Sequence, residues 1–139
     1  MNILIIDGQG GGIGAKLVSS VLENFPKAAV TAVGTNAAAT AAMISAGAKN
    51  AATGENSVVY GCKRADVIIG PIGIVIADSL LGEITPAMAA AVGQSGGRRI
   101  LIPISQCGNK IVGTMDLSVN KMVQAAVEAV KEFETELTG

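Results

Sequence analysis

The apolar run Ile3-Leu4-Ile5-Ile6 feeds directly into Asp7-Gly8-Gln9-Gly10-Gly11-Gly12-Ile13-Gly14, and this junction constrains the fold more than any other stretch of the chain. Five of those eight positions are glycine. In a buried element each glycine costs about 0.5–1 kcal/mol relative to alanine, so such a cluster points to close backbone approach rather than side-chain packing. Beyond it, Ile13, Leu17, Val18, Val21, Leu22 and Phe25 recur at helical spacing until Pro26 stops the pattern. The preceding segment, Asn2 to Ile6, has the near-continuous apolar character of a strand covered on both faces, as in a parallel sheet. Strand, glycine turn and amphipathic helix make the first half of a βαβ unit.

The same alternation continues along the chain. A second strand, about Ala29 to Val33, ends in Gly34-Thr35-Asn36, where Thr35 or Asn36 can cap a helix from Ala37 to Ala46 that Gly47 terminates. A short third strand near Asn50 to Ala52 leads through Thr53-Gly54-Glu55-Asn56 into a short helix ending at Arg64. A fourth, Asp66 to Ile69, delivers the chain to Gly70-Pro71-Ile72-Gly73, and the pattern predicts a helix over Ile74 to Leu81. Thr85 as N-cap and Pro86 at the first helical position start another helix, Pro86 to Val92, because proline lacks only a donor that the first turn cannot use. Strand five is expected over Arg99 to Ile104, a further short strand over Lys110 to Val112, and a covering helix from about Leu117 to Leu137.

Each parallel crossover needs a helix, so the pattern implies a three-layer α/β, Rossmann-like domain with a mainly parallel sheet in the order 3-2-1-4-5. The 139 residues fit one such domain, spanning 1–139. That order places the glycine turn and the loop after strand four on either side of the switch point, where open α/β sheets bind ligands.

The spacing of the turn matches two phosphate-binding patterns. Gly8, Gly12 and Gly14 fit GxxxGxG, and Gly10, Gly12 and Ala15 fit GxGxxA. In both, the helix N-terminus supplies free N–H groups and about half a positive charge to a phosphate that comes close to the main chain. No Gly-Lys-Ser/Thr follows, which excludes a P-loop. The expected site is therefore Gly8, Gln9, Gly10, Gly11, Gly12, Ile13 and Gly14 around the phosphates, Thr35 and Asn36 beside the ribose, and Glu55, Pro71, Ile72 and Gly73 completing the pocket. A site for NAD also uses an acid near the end of strand two, and Gly34-Thr35-Asn36 has none. The ligand class thus stays open among NAD, NADP, a mononucleotide and another phosphorylated small molecule. Read as packing, the same glycines serve close helix–sheet contact alone, and Thr35 or Asn36 is only a cap.

Catalytic groups are sparse. Tyr60 and Lys63 stand three residues apart, with Arg64 at the fourth position, so the Tyr-x-x-x-Lys pair of short-chain dehydrogenases is absent and Tyr60 reads as a partly buried helix residue. Glu55, Glu83 and Cys107 remain as acid, base or thiol candidates, and the lack of histidine disfavours a papain-like nucleophile at Cys107. Two cysteines without metal-ligand spacing and no histidine exclude a structural zinc site within one chain, so no metal is expected.

Net charge is −1 with no basic run, which leaves no electrostatic footprint for nucleic acid or an anionic membrane. The run from Val67 to Ala77 is far shorter than the roughly 20 apolar residues of a membrane span. No leader is evident, and a cytoplasmic protein with reduced thiols is expected. Only 15% of residues are charged while half are hydrophobic, a balance that predicts a homo-oligomer burying an Ala/Ile/Val-rich face.

Taken together, Asp7 to Gly14, Gly34-Thr35-Asn36-Ala37, Ala52-Thr53-Gly54-Glu55-Asn56, Gly70-Pro71-Ile72-Gly73 and Gly82-Glu83-Ile84-Thr85-Pro86-Ala87-Met88 resemble a small bacterial family, a domain of unknown function, over nearly the whole chain. The resemblance implies a short Rossmann-like protein and carries over no activity or catalytic residue. The expected function is a nucleotide- or dinucleotide-binding module in a binding or sensing role. The alternatives are a small enzyme completed across a subunit boundary by Glu55, Glu83 or Cys107, and a ligand-free oligomeric scaffold.

Overall fold

β1 (Asn2–Asp7) occupies the centre of a five-stranded parallel sheet because all but its first residue are buried and both its edges are paired. In the computed structural model, which describes residues 1–104 and 108–139, the element order is β1, α1 (Gly12–Asn24), β2 (Ala29–Gly34), α2 (Ala37–Ser45), β3 (Asn50–Thr53), α3 (Glu55–Cys62), β4 (Val67–Pro71), α4 (Pro86–Gln94), β5 (Arg98–Ile102) and α5 (Val119–Thr138). The strand order is β3-β2-β1-β4-β5, as the alternation of strands and helices predicts. Asp7 pairs with Gly34 and Ile5 with Ile69, so the ends of β2 and β4 flank the end of β1.

Two apolar layers hold the helices to the sheet. On one face Ile3, Ile5, Val30, Ala32 and Ile69 pack against Leu17, Val18 and Val21 of α1, Met43 of α2, and Val123, Val127 and Val130 of α5. On the other, Leu4, Ile6, Val33 and Ile68 pack against Val58 of α3 and Met88 and Val92 of α4. Alternate residues of β1 feed the two layers, as a strand covered on both faces requires. Full burial of a side chain such as Leu17 or Ile5 stabilises the fold by about 1.5–3 kcal/mol.

Caps appear where the sequence places them. Asn36 caps α2 by accepting from Ala39 N at 2.8 Å, and Thr85 caps α4 by accepting from Met88 N at 3.2 Å. Two expectations fail. The segment Ile74 to Leu81 is not an α-helix: Ile72–Val75 form a single 3-10 turn, after which the chain runs through successive turns. Asp78, Leu80 and Leu81 all have positive φ there, at 64°, 54° and 56°, which a continuing helix cannot contain. Residues 110 to 112 form no strand either, and the five-stranded sheet ends at β5. No helix among the described residues is long and apolar enough to cross a membrane.

Candidate functional site

The turn between β1 and α1 is built on one buried carboxylate. Asp7 Oδ1 accepts from Gly8 N at 2.8 Å and Oδ2 from Gly14 N at 2.6 Å, so a single side chain ties the end of the strand to the first turn of the helix. Gly11 N donates to Gly8 O at 3.0 Å, and Gly11, at φ 73°, caps α1. These bonds leave the N–H groups of Gly10, Gly12 and Ile13 without a partner among the described residues.

The glycines divide into two sets. A Cβ on Gly8 would stand 2.6 Å from Thr35 Oγ1, one on Gly11 2.8 Å from the Ala39 backbone, and one on Gly14 2.6 Å from Met43 Sδ. Close packing therefore accounts for those three. At Gly10 and Gly12 a Cβ would meet nothing within 4 Å among the described residues, and neither has positive φ. No packing contact among the described residues requires their lack of a side chain.

Gly10 and Gly12 border a cleft of about 300 Å³ at the crevice between β1 and β4, lined by residues 7–13 with Lys16, Pro71, Leu80, Ile104 and Val119. Lys16 Nζ donates to Asn120 Oδ1 at 3.1 Å, which holds the ammonium between α1 and α5. The α1 dipole contributes up to about 2 kcal/mol to an anion here. A hydrogen bond to a charged group contributes about 1.5–3 kcal/mol, so the unspent N–H donors outweigh the dipole. Burial pushes the Asp7 carboxyl above the ordinary aspartate value. The Gly14 and Gly8 N–H bonds oppose that rise, and the nearby Glu83 charge adds to it.

A second polar cluster engages the turn through Gln9. Glu83 Oε1 accepts from Gln9 N at 2.8 Å, from Thr35 Oγ1 at 2.6 Å and from Asn36 Nδ2 at 2.8 Å, and Asn36 Nδ2 also donates to Gln9 O at 2.9 Å. The loop that delivers Glu83 contains the left-handed residues Asp78, Leu80 and Leu81. A left-handed conformation costs a non-glycine residue roughly 1–2 kcal/mol, so surrounding contacts hold this loop in place. Among them, Asp78 N donates to Ile84 O at 2.7 Å, and buried Ser79 bonds Gly73 O. Partial burial disfavours charge on Glu83, but the hydrogen bonds from Thr35, Gln9 and Asn36 outweigh it and hold the carboxyl below the usual range.

Of the residues expected in the pocket, Gly8 to Ile13 and Pro71 line the cleft, while Gly14 sits behind it against Met43 and Asp7. Thr35 and Asn36 are beside the turn but engaged with Glu83. Glu55 opens α3 and accepts from Thr85 Oγ1 at 2.5 Å, and Ile72 and Gly73 form the 3-10 turn after β4 rather than the cleft wall. Tyr60 is 57% exposed rather than partly buried, because it lies on the open side of α3 with Arg64 stacked 4.3 Å over its ring. It borders a wider cleft of about 530 Å³ beside β2 and β3 that contains none of the expected site residues. Cys107 lies outside the described residues. Cys62 is buried, and burial pushes its thiol up to about 11, which leaves it unreactive.

Sequence reasoning omitted Asp7, Lys16 and Glu83 from the binding set. Asp7 carried a signal, being the one charge in an otherwise apolar strand, and Lys16 follows the turn at the first helical turn. Glu83 had no local signal linking it to Gly8.

A solved structure described as the crystal structure of a dodecameric FMN-dependent Ubix-like decarboxylase from Escherichia coli O157:H7 is similar, with a TM-score of 0.49 and 16% identity over 93% of this chain and 75% of that one. No curated protein matches the chain. Residues 2–135, nearly the whole sequence, match the family described as a domain of unknown function (DUF3842), and the protein belongs to that family.

Proposed function

We propose that this chain is a nucleotide- or dinucleotide-binding module whose ligand places a phosphate on the N–H groups of Gly10, Gly12 and Ile13. The observation that carries the reading is the pair Gly10 and Gly12: no described residue occupies the space their side chains would fill. Lys16 supplies a cation at the cleft, and Ile13, Pro71, Leu80, Ile104 and Val119 supply apolar walls for a sugar or ring. A cleft of about 300 Å³ is at the lower end of small-molecule sites and takes the phosphate end of a nucleotide with the remainder along its open side. NAD, NADP and mononucleotides all present that end.

A binding or sensing role is favoured over catalysis. Glu83 is the one acid or thiol candidate placed against the turn among the described residues, and its three hydrogen bonds make it a weak base. Self-association is part of the proposal: only 15% of residues are charged, and Leu81, Val112 and Met115, at 95%, 84% and 75% exposed, are apolar side chains that an interface would cover. Ligand occupancy would regulate assembly to the extent that the two assembly states bind it with different affinity.

The test is a thermal-shift panel of NAD, NADH, NADP, NADPH, ATP, GTP, coenzyme A and flavin nucleotides. A ligand at about 100 times its dissociation constant stabilises the fold by about 2.7 kcal/mol, which such a scan reads easily. No shift with any of them returns the turn to the second reading, close packing alone, which the contacts of Gly8, Gly11 and Gly14 favour.

A further inference from the structure

A dinucleotide site in this fold holds ribose hydroxyls on a carboxylate at the end of the second strand. The segment after β2, Gly34-Thr35-Asn36, contains no acid, yet a carboxylate stands there in space. Glu83, 47 residues beyond Asn36, reaches the tip of β2 from the loop that precedes α4 and takes hydrogen bonds from both Thr35 and Asn36. It also packs on the glycine turn, since a Cβ on Gly8 would lie 2.9 Å from Glu83 Oε1.

The way the carboxylate is held leaves it able to accept more. All three of its hydrogen bonds fall on Oε1, and Oε2 has no partner among the described residues. An ionised carboxylate offers about four lone-pair sites, so the second oxygen keeps its acceptor capacity. Thr35, Asn36 and Gln9 N fix the orientation of the group and keep it charged, while Oε2 meets no competing donor among the described residues.

We propose that Glu83 is the specificity-determining acceptor for the ribose hydroxyls of the bound nucleotide, standing where the missing acid of β2 would stand; this rests on the nucleotide-binding reading above. The ligand class narrows to nucleotides whose ribose nearest the turn carries a free 2′-hydroxyl. A 2′-phosphate would set negative charge against a fixed negative carboxylate and is disfavoured.

Titration calorimetry with NAD against NADP, and with ADP against 2′-deoxy-ADP, tests this on the wild-type chain, so the result does not depend on any variant folding. NAD is expected to bind at least tenfold tighter than NADP, and ADP severalfold tighter than its 2′-deoxy form. Glu83→Gln, which keeps the shape and removes the charge, is expected to narrow the NAD to NADP ratio at least fivefold. Equal or tighter binding of NADP, or an unchanged ratio in Glu83→Gln, overturns the assignment while nucleotide binding itself stands. Binding of none of the four probes overturns the assignment, and a silent thermal-shift panel overturns nucleotide binding with it.

Discussion

Glu83 Oε1 accepts the Thr35 hydroxyl at 2.6 Å although 48 residues separate the two. Thr35 follows β2 and Glu83 follows β4, the two strands that flank β1, so the bond passes across the tip of the central strand. With Gln9 N on the same oxygen, it clamps the glycine turn that Asp7 also ties to α1.

This clamp is measurable as a coupling. Thr35→Val and Glu83→Ala are each expected to cost about 1 kcal/mol, since a charge-assisted bond at a partly exposed site is discounted for solvent. The double variant should cost less than the sum, because both changes remove one shared interaction. Urea denaturation of the four proteins checks this, and strict additivity would contradict the clamp.

The two carboxyls at the turn titrate in opposite senses. Glu83 is held below its ordinary range in the fold, so its contribution is present above that range and is lost as pH falls through it. Asp7 is held above its ordinary range by burial, so ionising it costs stability, and the fold weakens as pH rises from that range through the raised value. Relative to wild type, Glu83→Gln should therefore lose its stability deficit on acidification. Asp7→Asn should instead show a deficit that widens on acidification. Stability measured between pH 3 and pH 7 separates them; parallel curves would show that neither carboxyl is shifted.

Adjacent glycines should behave as opposites. Gly11→Ala forces a side chain into left-handed backbone 2.8 Å from the Ala39 main chain and is expected to cost at least about 1–2 kcal/mol. Gly12→Ala meets no described residue and should change stability by no more than about 1 kcal/mol, while Gly12→Val fills the place of the phosphate and abolishes any nucleotide-induced shift. Denaturation and the ligand panel read the two effects independently. Retained binding in Gly12→Val would locate the site elsewhere.

Leu81 is almost fully exposed and left-handed, an arrangement that costs a monomer energy and returns it nothing. Leu81→Gly is expected to raise monomer stability by about 1 kcal/mol and to weaken self-association. Light scattering coupled to gel filtration, together with denaturation below the association range, gives both numbers. A wild-type chain that stays monomeric at high concentration would remove the assembly proposal.

The sheet order, the turn and most helix boundaries are legible in the residues. Ile3 to Ile6 alternate between two buried layers, Pro26 and Gly47 stop helices, and Asn36 and Thr85 cap them, all through interactions within a few positions along the chain. Ile74 to Leu81 misled because its apolar spacing suits a helix, whereas the observed path bends through left-handed residues that carry Glu83 to the turn. Residues 110 to 112 misled in the same way, having strand-like character but no place in the sheet, which ends at β5.

By itself the sequence determined a parallel α/β sheet with a glycine turn at its centre, because periodicity, capping and glycine clustering act locally. Which glycines are open, and which are closed by Ala39, Met43 or Thr35, was decided only by tertiary packing. The same holds for the carboxylate at the tip of β2: the local segment lacks one, and the fold supplies Glu83 from 47 residues beyond Asn36. The physical reason is that hydrogen bonds and close contacts depend on distance in space, and the paired ends of β2, β1 and β4 bring together loops that the linear chain keeps far apart.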